Sequence, residues 1–296
     1  MIVTSDFENI KINNQVYLKP EYLIHPYVSG NKFRKLKYNL IEAKRLNKKT
    51  LLTFGGAYSN HIAAVASAGK NLGFHTIGII RGEELTSKIE ANPTLRFANS
   101  CGMQLKFISR QDYKLKTERN FIEKLNAEFG DFYCIPEGGT NDLAIKGCEE
   151  ILLQADHEYD YICCSIGTGG TIAGLINAAL PHQNVLGFPA LKGNFLREEI
   201  LKFAKNKNWQ LITDYHFDGY GKTDAQLIAF INDFKKKYDI PLDPIYTGKM
   251  MFGIFDLIEK GFFPQNSKVL AIHTGGLQGI EGMNLKLKQQ NKALIV

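Results

Sequence analysis

With 296 residues, 44% of them hydrophobic, and no biased tract, the chain can bury a large core. That excludes a disordered or fibrous protein and points to one large or two medium α/β domains. The formal charge of +6 comes from 36 Lys and Arg spread among 30 Asp and Glu. Nucleic-acid binding needs cations clustered on one face, and the Lys235 to Lys237 triplet is too short, so the charge reads as solubility plus attraction for a small anion.

Five cysteines, Cys101, Cys134, Cys148, Cys163 and Cys164, have neither disulfide-framework nor metal-site spacing and read as reduced, mostly buried thiols. Cys163 and Cys164 are adjacent in an apolar strand, so their side chains should face opposite sides. No metal is expected. The stretch MIVTSDFENI lacks the apolar segment of a signal peptide, and no run reaches the roughly 18 apolar residues of a membrane span. The expectation is a cytoplasmic enzyme that binds neither nucleic acid nor membrane.

In chain order, the run SGNKFRKLKYNL (Ser29 to Leu40) comes first and places Lys32 in a glycine-asparagine turn just before an amphipathic helix. Arg34, Lys35 and Lys37 would destabilise its ammonium, making it a candidate amine nucleophile for Schiff-base chemistry. The ordinary alternative is a solvated basic helix start. Strands are then predicted at Thr50 to Phe54, Thr76 to Ile80, Leu105 to Ile108 and Phe132 to Ile135. Helices at His61 to Leu72, closed by Gly73, and at Lys116 to Phe129, closed by Gly130, fit between them.

The second half repeats the pattern. Strands are expected at Tyr161 to Ser165, Val185 to Phe188, Leu211 to Thr213 and Val269 to His273. Helices are expected at Ile172 to Leu180, Phe195 to Lys205, Asp224 to Tyr238 and Lys249 to Lys260. The alternation predicts an α/β fold with mostly parallel sheets. No low-complexity linker divides the chain, so any two domains pack closely and the cleft between them is the natural ligand site.

Glycine-rich loops follow four of these strands. In the loop Gly167, Thr168, Gly169, Gly170 and Thr171, glycines let amides approach an anion, the threonines add hydroxyls, and a helix N-terminus adds positive potential. A dinucleotide fingerprint would need glycine where Ile172 stands, and a Walker loop would need a Gly-Lys pair, so the loop suits a single phosphate. In TFGGAYSNH, Ser59 and Asn60 sit at a helix start, where capping explains one of them. Together with His61 they could also form a pocket for a carboxylate or phenolate oxygen. PEGGTN (Pro136 to Asn141) and HTGG (His273 to Gly276) complete the set. His61, His75, His157 and His216 are more often structural or solvated than catalytic, and His273 is a weak candidate for the pocket edge.

These motifs, with LDPIYTGK (Leu242 to Lys249), occur in the order and near the spacing of pyridoxal-phosphate enzymes of fold type II. More narrowly, the chain resembles the D-cysteine desulfhydrase and 1-aminocyclopropane-1-carboxylate deaminase family from about Val16 to Gly279. The resemblance implies two open, twisted, mostly parallel sheets flanked by helices, as in tryptophan synthase β. The cofactor would lie in the cleft between a large domain (1–36 and 144–296) and a small one (37–143). It also implies a homodimer acting on a small amino acid.

By the same resemblance, Lys32 would carry pyridoxal 5'-phosphate in Schiff-base linkage and Asn60 would bond its phenolic oxygen. Gly167, Thr168, Gly169, Gly170 and Thr171 would hold its phosphate, and Thr247 would face the pyridine nitrogen. Thr274 and the HTGG strand end would close that edge. Ser59, Asn60 and His61 would receive the substrate carboxylate, with Ser59 also placed for proton transfer, and Tyr246 and Tyr220 would line the substrate side. Tyr220 could equally be an aromatic wedge in a turn. The stretch Leu18-Lys19-Pro20-Glu21-Tyr22 departs from the Lys-Arg-Glu-Asp type of sequence many members carry.

In the deaminase branch a glutamate follows the tyrosine of LDPIYTGK and a leucine replaces the threonine of HTGG. Thr247 and Thr274 match the desulfhydrase branch. The implied reaction is therefore α,β-elimination from a β-substituted D-amino acid, with ring-opening deamination and a catalytically degenerate cofactor-binding protein as alternatives.

Overall fold

Two sheets carry the chain, and their inner strands β3, β4, β7, β8 and β10 are largely apolar runs buried on both faces. The computed structural model describes residues 7–193 and 195–296; residues 1–6, part of the N-terminal stretch read above for a signal peptide, lie outside it. In order the elements are β1 (Ile10–Lys11), β2 (Val16–Lys19), α1 (Asn31–Arg45), β3 (Thr50–Gly55), α2 (Asn60–Leu72), β4 (His75–Arg81) and α3 (Pro93–Ser100). They continue with β5 (Gln104–Ile108), α4 (Arg119–Phe129), β6 (Tyr133–Ile135), α5 (Asp142–Glu149), β7 (Tyr161–Ile166), α6 (Gly170–Ala178) and β8 (Asn184–Pro189). The chain closes with α7 (Phe195–Leu201), β9 (Trp209–Leu211), α8 (Ala225–Tyr238), α9 (Thr247–Glu259), β10 (Val269–Ile272) and α10 (Gly279–Gln289).

The first sheet runs β1-β2-β10-β7-β8-β9 and the second runs β5-β4-β3-β6. All pairings are parallel except β1 with β2. Parallel strands buried on both faces read as continuous apolar runs, and β7 shows why. Cys163 packs on one side with Leu227 and Met250 of α8 and α9, whereas Cys164 packs on the other with Ile172 and Leu196 of α6 and α7. The two thiols do face opposite ways, each as a small core residue held protonated by burial. In the second sheet, Ala64, Ala66 and Ala68 of α2 let that helix lie close on Leu51 and Ile80.

Predicted and observed elements differ mainly at their ends. α6 and α9 start two residues early, because Gly170 and Thr247 already belong to the first helical turn. β9 lies two residues earlier than expected, since Val185 and Leu186 of β8 pair with Trp209 and Gln210. β1, β2, α3, α5 and α10 had not been predicted. Of these, β2 explains the unusual Leu18 to Tyr22 stretch. Lys19 ends a buried strand, and its ammonium reaches the equally buried Asp156 at 2.7 Å. Two residues on, Glu21 takes a two-pronged bond from buried Arg34, 2.8 Å on each prong. These four buried charges thus have the partners that burial requires.

The fold places every predicted glycine pair at the same kind of location. Gly55-Gly56 closes β3, Gly138-Gly139 follows β6, Gly169-Gly170 follows β7 and Gly275-Gly276 follows β10. The carboxyl ends of parallel strands are where α/β sheets leave a crevice for ligands. α1 packs on α5, and α5 on α6, so close that a methyl group on Gly147 of α5 would lie 2.0 Å from the Arg34 carbonyl oxygen.

Candidate active site

The site starts at Gly30, the residue before α1. Its φ of +55° and its contact with the strand end of β10 both demand glycine, because an added Cβ would stand 2.0 Å from the Thr274 carbonyl oxygen. That oxygen accepts the Asn31 amide at 3.2 Å, fixing the first turn of α1 against β10. Lys32 is therefore the second residue of the helix rather than part of the turn before it. Its amine donates to Asn31 Oδ1 at 2.9 Å. Shielding of the amine from water, followed by the charge of Lys35, lowers its pKa to about 7. Of the three cations expected to act on it, Arg34 is spent on Glu21 and Lys37 on Glu150, leaving Lys35 as the like charge that counts.

Lys35, one helical turn on, is 2% exposed and makes no carboxylate pair among the described residues. Its ammonium donates to the Gly138 carbonyl at 3.0 Å, to Thr140 Oγ1 at 3.1 Å and to Thr168 Oγ1 at 3.4 Å. The two threonine hydroxyls are themselves 2.6 Å apart. A Cβ added to Gly170, at the N-terminus of α6, would lie 3.0 Å from the Lys35 amine and 2.8 Å from Thr140 Oγ1. Gly169, with φ +83°, turns the chain into the helix. Thr171, also in this first turn, accepts from Asn31 Nδ2 at 2.8 Å. A buried cation held only by neutral oxygens, beside a helix N-terminus and two hydroxyls, is built for one small anion.

At the end of β3 the chain enters α2 through Ser59, whose Oγ caps the helix by accepting from the Ile62 amide at 3.3 Å. Capping is thus Ser59's role here, and Asn60 is released from it. Asn60 Nδ2 points toward β10, 2.6 Å from where a Cβ on Gly276 would stand. His61 is buried, with Nε2 2.8 Å from Thr53 Oγ1. The Thr53 hydroxyl donates its one proton to the Ile135 carbonyl, so Nε2 must carry the imidazole proton and Nδ1 a bare lone pair. Nδ1 is buried without a partner among the described residues. Burial, then the charges of Lys32 and Lys35, hold the His61 pKa well below its usual value, so the ring is neutral.

The other wall is aromatic. Tyr246 precedes α9, and its hydroxyl lies 3.3 Å from a Cβ placed on Gly167. Tyr220 meets it edge-on, with ring centroids 6.1 Å apart. Burial raises both phenol pKa values, so both remain O–H donors at neutral pH. Buried Thr247 donates its hydroxyl to Asp243 at 2.7 Å, and Asp243 also accepts the amides of Ile245, Tyr246 and Thr247, anchoring the start of α9. Thr274 Oγ1 lies 3.3 Å from Ser165 Oγ. His273 is spent on the backbone, with Nε2 2.7 Å from the Pro241 carbonyl and Nδ1 accepting the Gly275 amide at 3.2 Å.

Asn31 thus links Lys32 to the anion loop, Asn60 faces Gly276, Tyr246 stands against Gly167, and Tyr220, in the loop between β9 and α8, reaches this wall through Tyr246. Sequence reasoning missed Asn31, Thr140, Asp243 and Lys35 as part of the constellation. Only Lys35 had a usable signal, because three residues after Lys32 it shares its helix face. Among the described residues no group of three His, Cys, Asp or Glu side chains is placed to hold a metal ion, and no helix is long and apolar enough to cross a membrane.

A lysine amine that titrates near neutrality beside a single-anion cradle defines the class, an enzyme that holds a phosphorylated aldehyde cofactor. The chain belongs to the pyridoxal-phosphate dependent enzyme family, whose pattern matches residues 2–275. It is 29% identical to the bifunctional D-cysteine desulfhydrase/1-aminocyclopropane-1-carboxylate deaminase of Arabidopsis thaliana, over 90% of this chain and 73% of that one. To the D-cysteine desulfhydrase of Klebsiella pneumoniae it is 26% identical, over 90% and 88% of the two chains. The crystal structure of an ACC deaminase homologue superposes with a TM-score of 0.79 at 28% identity, covering 93% of this chain and 88% of the other. The fold is accordingly fold type II.

The site fits pyridoxal phosphate on observations of its own. Among the described residues the buried Lys35 ammonium has no carboxylate partner, the α6 N-terminus beside it has no side-chain cap, and the Lys32 amine is partly neutral at pH 7.

Proposed function

We propose that the protein catalyses α,β-elimination of a β-substituted D-amino acid, D-cysteine or a close relative, to pyruvate, ammonia and the departing group. With cysteine, one water is consumed and sulfide leaves. The observation that carries this reading is the Lys32 amine, held by Asn31 and lowered to about 7, so that near neutral pH it can accept an α-proton. When bound, the cofactor supplies the electron sink for the carbon that loses this proton. Lys35, Thr140, Thr168, Thr171 and the amides of Gly169 and Gly170 would hold its phosphate, while Gly167 leaves room for Tyr246. Asn60 would bond its phenolic oxygen, with Thr247 and Thr274 along its far edge.

Ser59 and the amides of Asn60 and His61 open α2 toward the substrate carboxylate, where the helix N-terminus adds positive potential. Tyr246 and Tyr220 stay protonated and stand ready to donate to the leaving sulfur. Thr247 and Thr274 favour elimination, since the ring-opening branch resembles this chain with glutamate and leucine there. Ring-opening of 1-aminocyclopropane-1-carboxylate is the second reading, favoured by the bifunctional Arabidopsis relative. The second sheet, β3 to β6, falls within 37–143 and supports a small domain there; the homodimer and its cytoplasmic location rest on the family resemblance, and light scattering would check the dimer.

The test is pyruvate release from cofactor-loaded protein on a panel of D- and L-cysteine, β-chloroalanine, serine and 1-aminocyclopropane-1-carboxylate. Turnover of the D-thiol and D-chloro substrates is expected. 2-Oxobutyrate from the cyclopropane alone would favour the second reading, and silence across the panel would favour a degenerate binding protein.

A further inference from the structure

Lys249, in the first turn of α9, is a buried lysine that the reaction above does not use. It is 2% exposed and forms no ion pair among the described residues. Its ammonium donates to two backbone carbonyls, those of His216 and Gly219, each at 2.9 Å. Burying an ammonium is costly, and a methionine would fill the same space without that cost. The amine is therefore retained for what those two bonds do.

Between the two carbonyls the backbone is strained. Phe217 and Asp218 have φ of +50° and +63° and Gly219 has +109°; Gly221, two residues beyond, has +67°. Non-glycine residues in this region are strained and persist only where neighbours impose them. Phe217 is fixed on one side by its edge contact with Phe252, ring centroids 5.1 Å apart. Gly219 has no side chain to anchor it. The residue it presents is Tyr220, which is 43% exposed and touches the site through its edge contact with Tyr246. Tyr220 is also placed by the path of the backbone before it, where the same two carbonyls accept the Gly219 and Lys222 amides at 3.0 and 3.2 Å.

We infer that Lys249 is a positioning residue for Tyr220, a strut from α9 that fixes the 216–221 loop so that the phenol meets Tyr246 at the edge of the cleft. This rests on the elimination reading in so far as it gives Tyr220 a task in turnover.

Two measurements on the cofactor-loaded protein separate the two claims. In hydrogen exchange, Lys249→Met should speed the amides of residues 219–221 at least about tenfold while the middle of α9 is unchanged; equal exchange in the two proteins would overturn the strut. In kinetics, Lys249→Met and Tyr220→Phe should each lower kcat about tenfold, and the double variant should be no slower than Tyr220→Phe alone. Losses that multiply would show that Lys249 does not act through Tyr220 and would overturn the inference. Lys249→Gln, shorter and neutral, is the second variant should methionine prevent folding, with the same dependence on Tyr220 expected. If the wild-type protein turned over no substrate, the elimination reading would fall and the exchange comparison would still decide whether Lys249 holds the loop.

Discussion

The Lys32 amine and the Asn31 side-chain oxygen, neighbours in the first turn of α1, are joined across 2.9 Å. The same Asn31 side chain donates to Thr171 in the first turn of α6, so the lysine and the anion cradle are positioned by one residue. Holding the base against the cofactor's anchor leaves little orientation to be lost during turnover.

Burial of the Lys32 amine has a stability cost with a defined sign. Its pKa falls from 10.5 unfolded to about 7 folded, so the unfolded chain binds the extra proton and stability rises with pH between those values. Without cofactor, Lys32→Met should therefore be more stable than the wild-type protein at pH 7, and the difference should shrink toward pH 10.5. Thermal melts at a series of pH values check this; a gain that stays constant with pH would contradict it.

Lys35 supplies the cradle's only cation among the described residues. Lys35→Met removes a charge-assisted contact of about 1.5–3 kcal/mol, which weakens pyridoxal phosphate binding roughly ten- to a hundredfold. Fluorescence titration with the cofactor measures it. Removing this like charge should also raise the Lys32 pKa, moving the pH at which cofactor incorporation levels off above 7.

Two glycines with positive φ should respond in opposite degree. Gly30→Ala drives a methyl into the Thr274 carbonyl and should cost several kcal/mol together with cofactor binding. Gly73→Ala, at φ +74° with nothing within 4 Å of the new methyl, should cost only about 1 kcal/mol. Urea unfolding of the two variants decides between steric contact and backbone preference as the reason for glycine at Gly30.

His61 should keep its proton on Nε2 and remain neutral well below the usual imidazole range, since burial and then both lysines oppose the imidazolium. Because the unfolded imidazole titrates near 6.5, this site withdraws stability as pH falls below that value. Nitrogen-15 imidazole spectra report the tautomer; an Nδ1 proton would contradict the Thr53 hydrogen-bond assignment.

Much of this was legible because glycine loops and buried strands are local signals. The GTGG run predicted a single-phosphate site without help from distant residues, and the apolar β7 predicted opposed cysteines. What stayed hidden depends on contacts across the chain. Lys19 makes sense in a buried strand only beside Asp156, 137 residues away. Arg34 and Lys37 read as acting on Lys32 until Glu21 and Glu150 appear opposite them. Asp243 looks like an ordinary loop acid, and only the structure shows it gathering three amides and the Thr247 hydroxyl.

The most direct test is chemical. The protein is loaded with pyridoxal phosphate, reduced with borohydride and digested, and the phosphopyridoxyl group is located by mass spectrometry. The account predicts one adduct, on Lys32. Modification of Lys35 or Lys249 in its place, or no adduct on a protein that binds the cofactor, would contradict it.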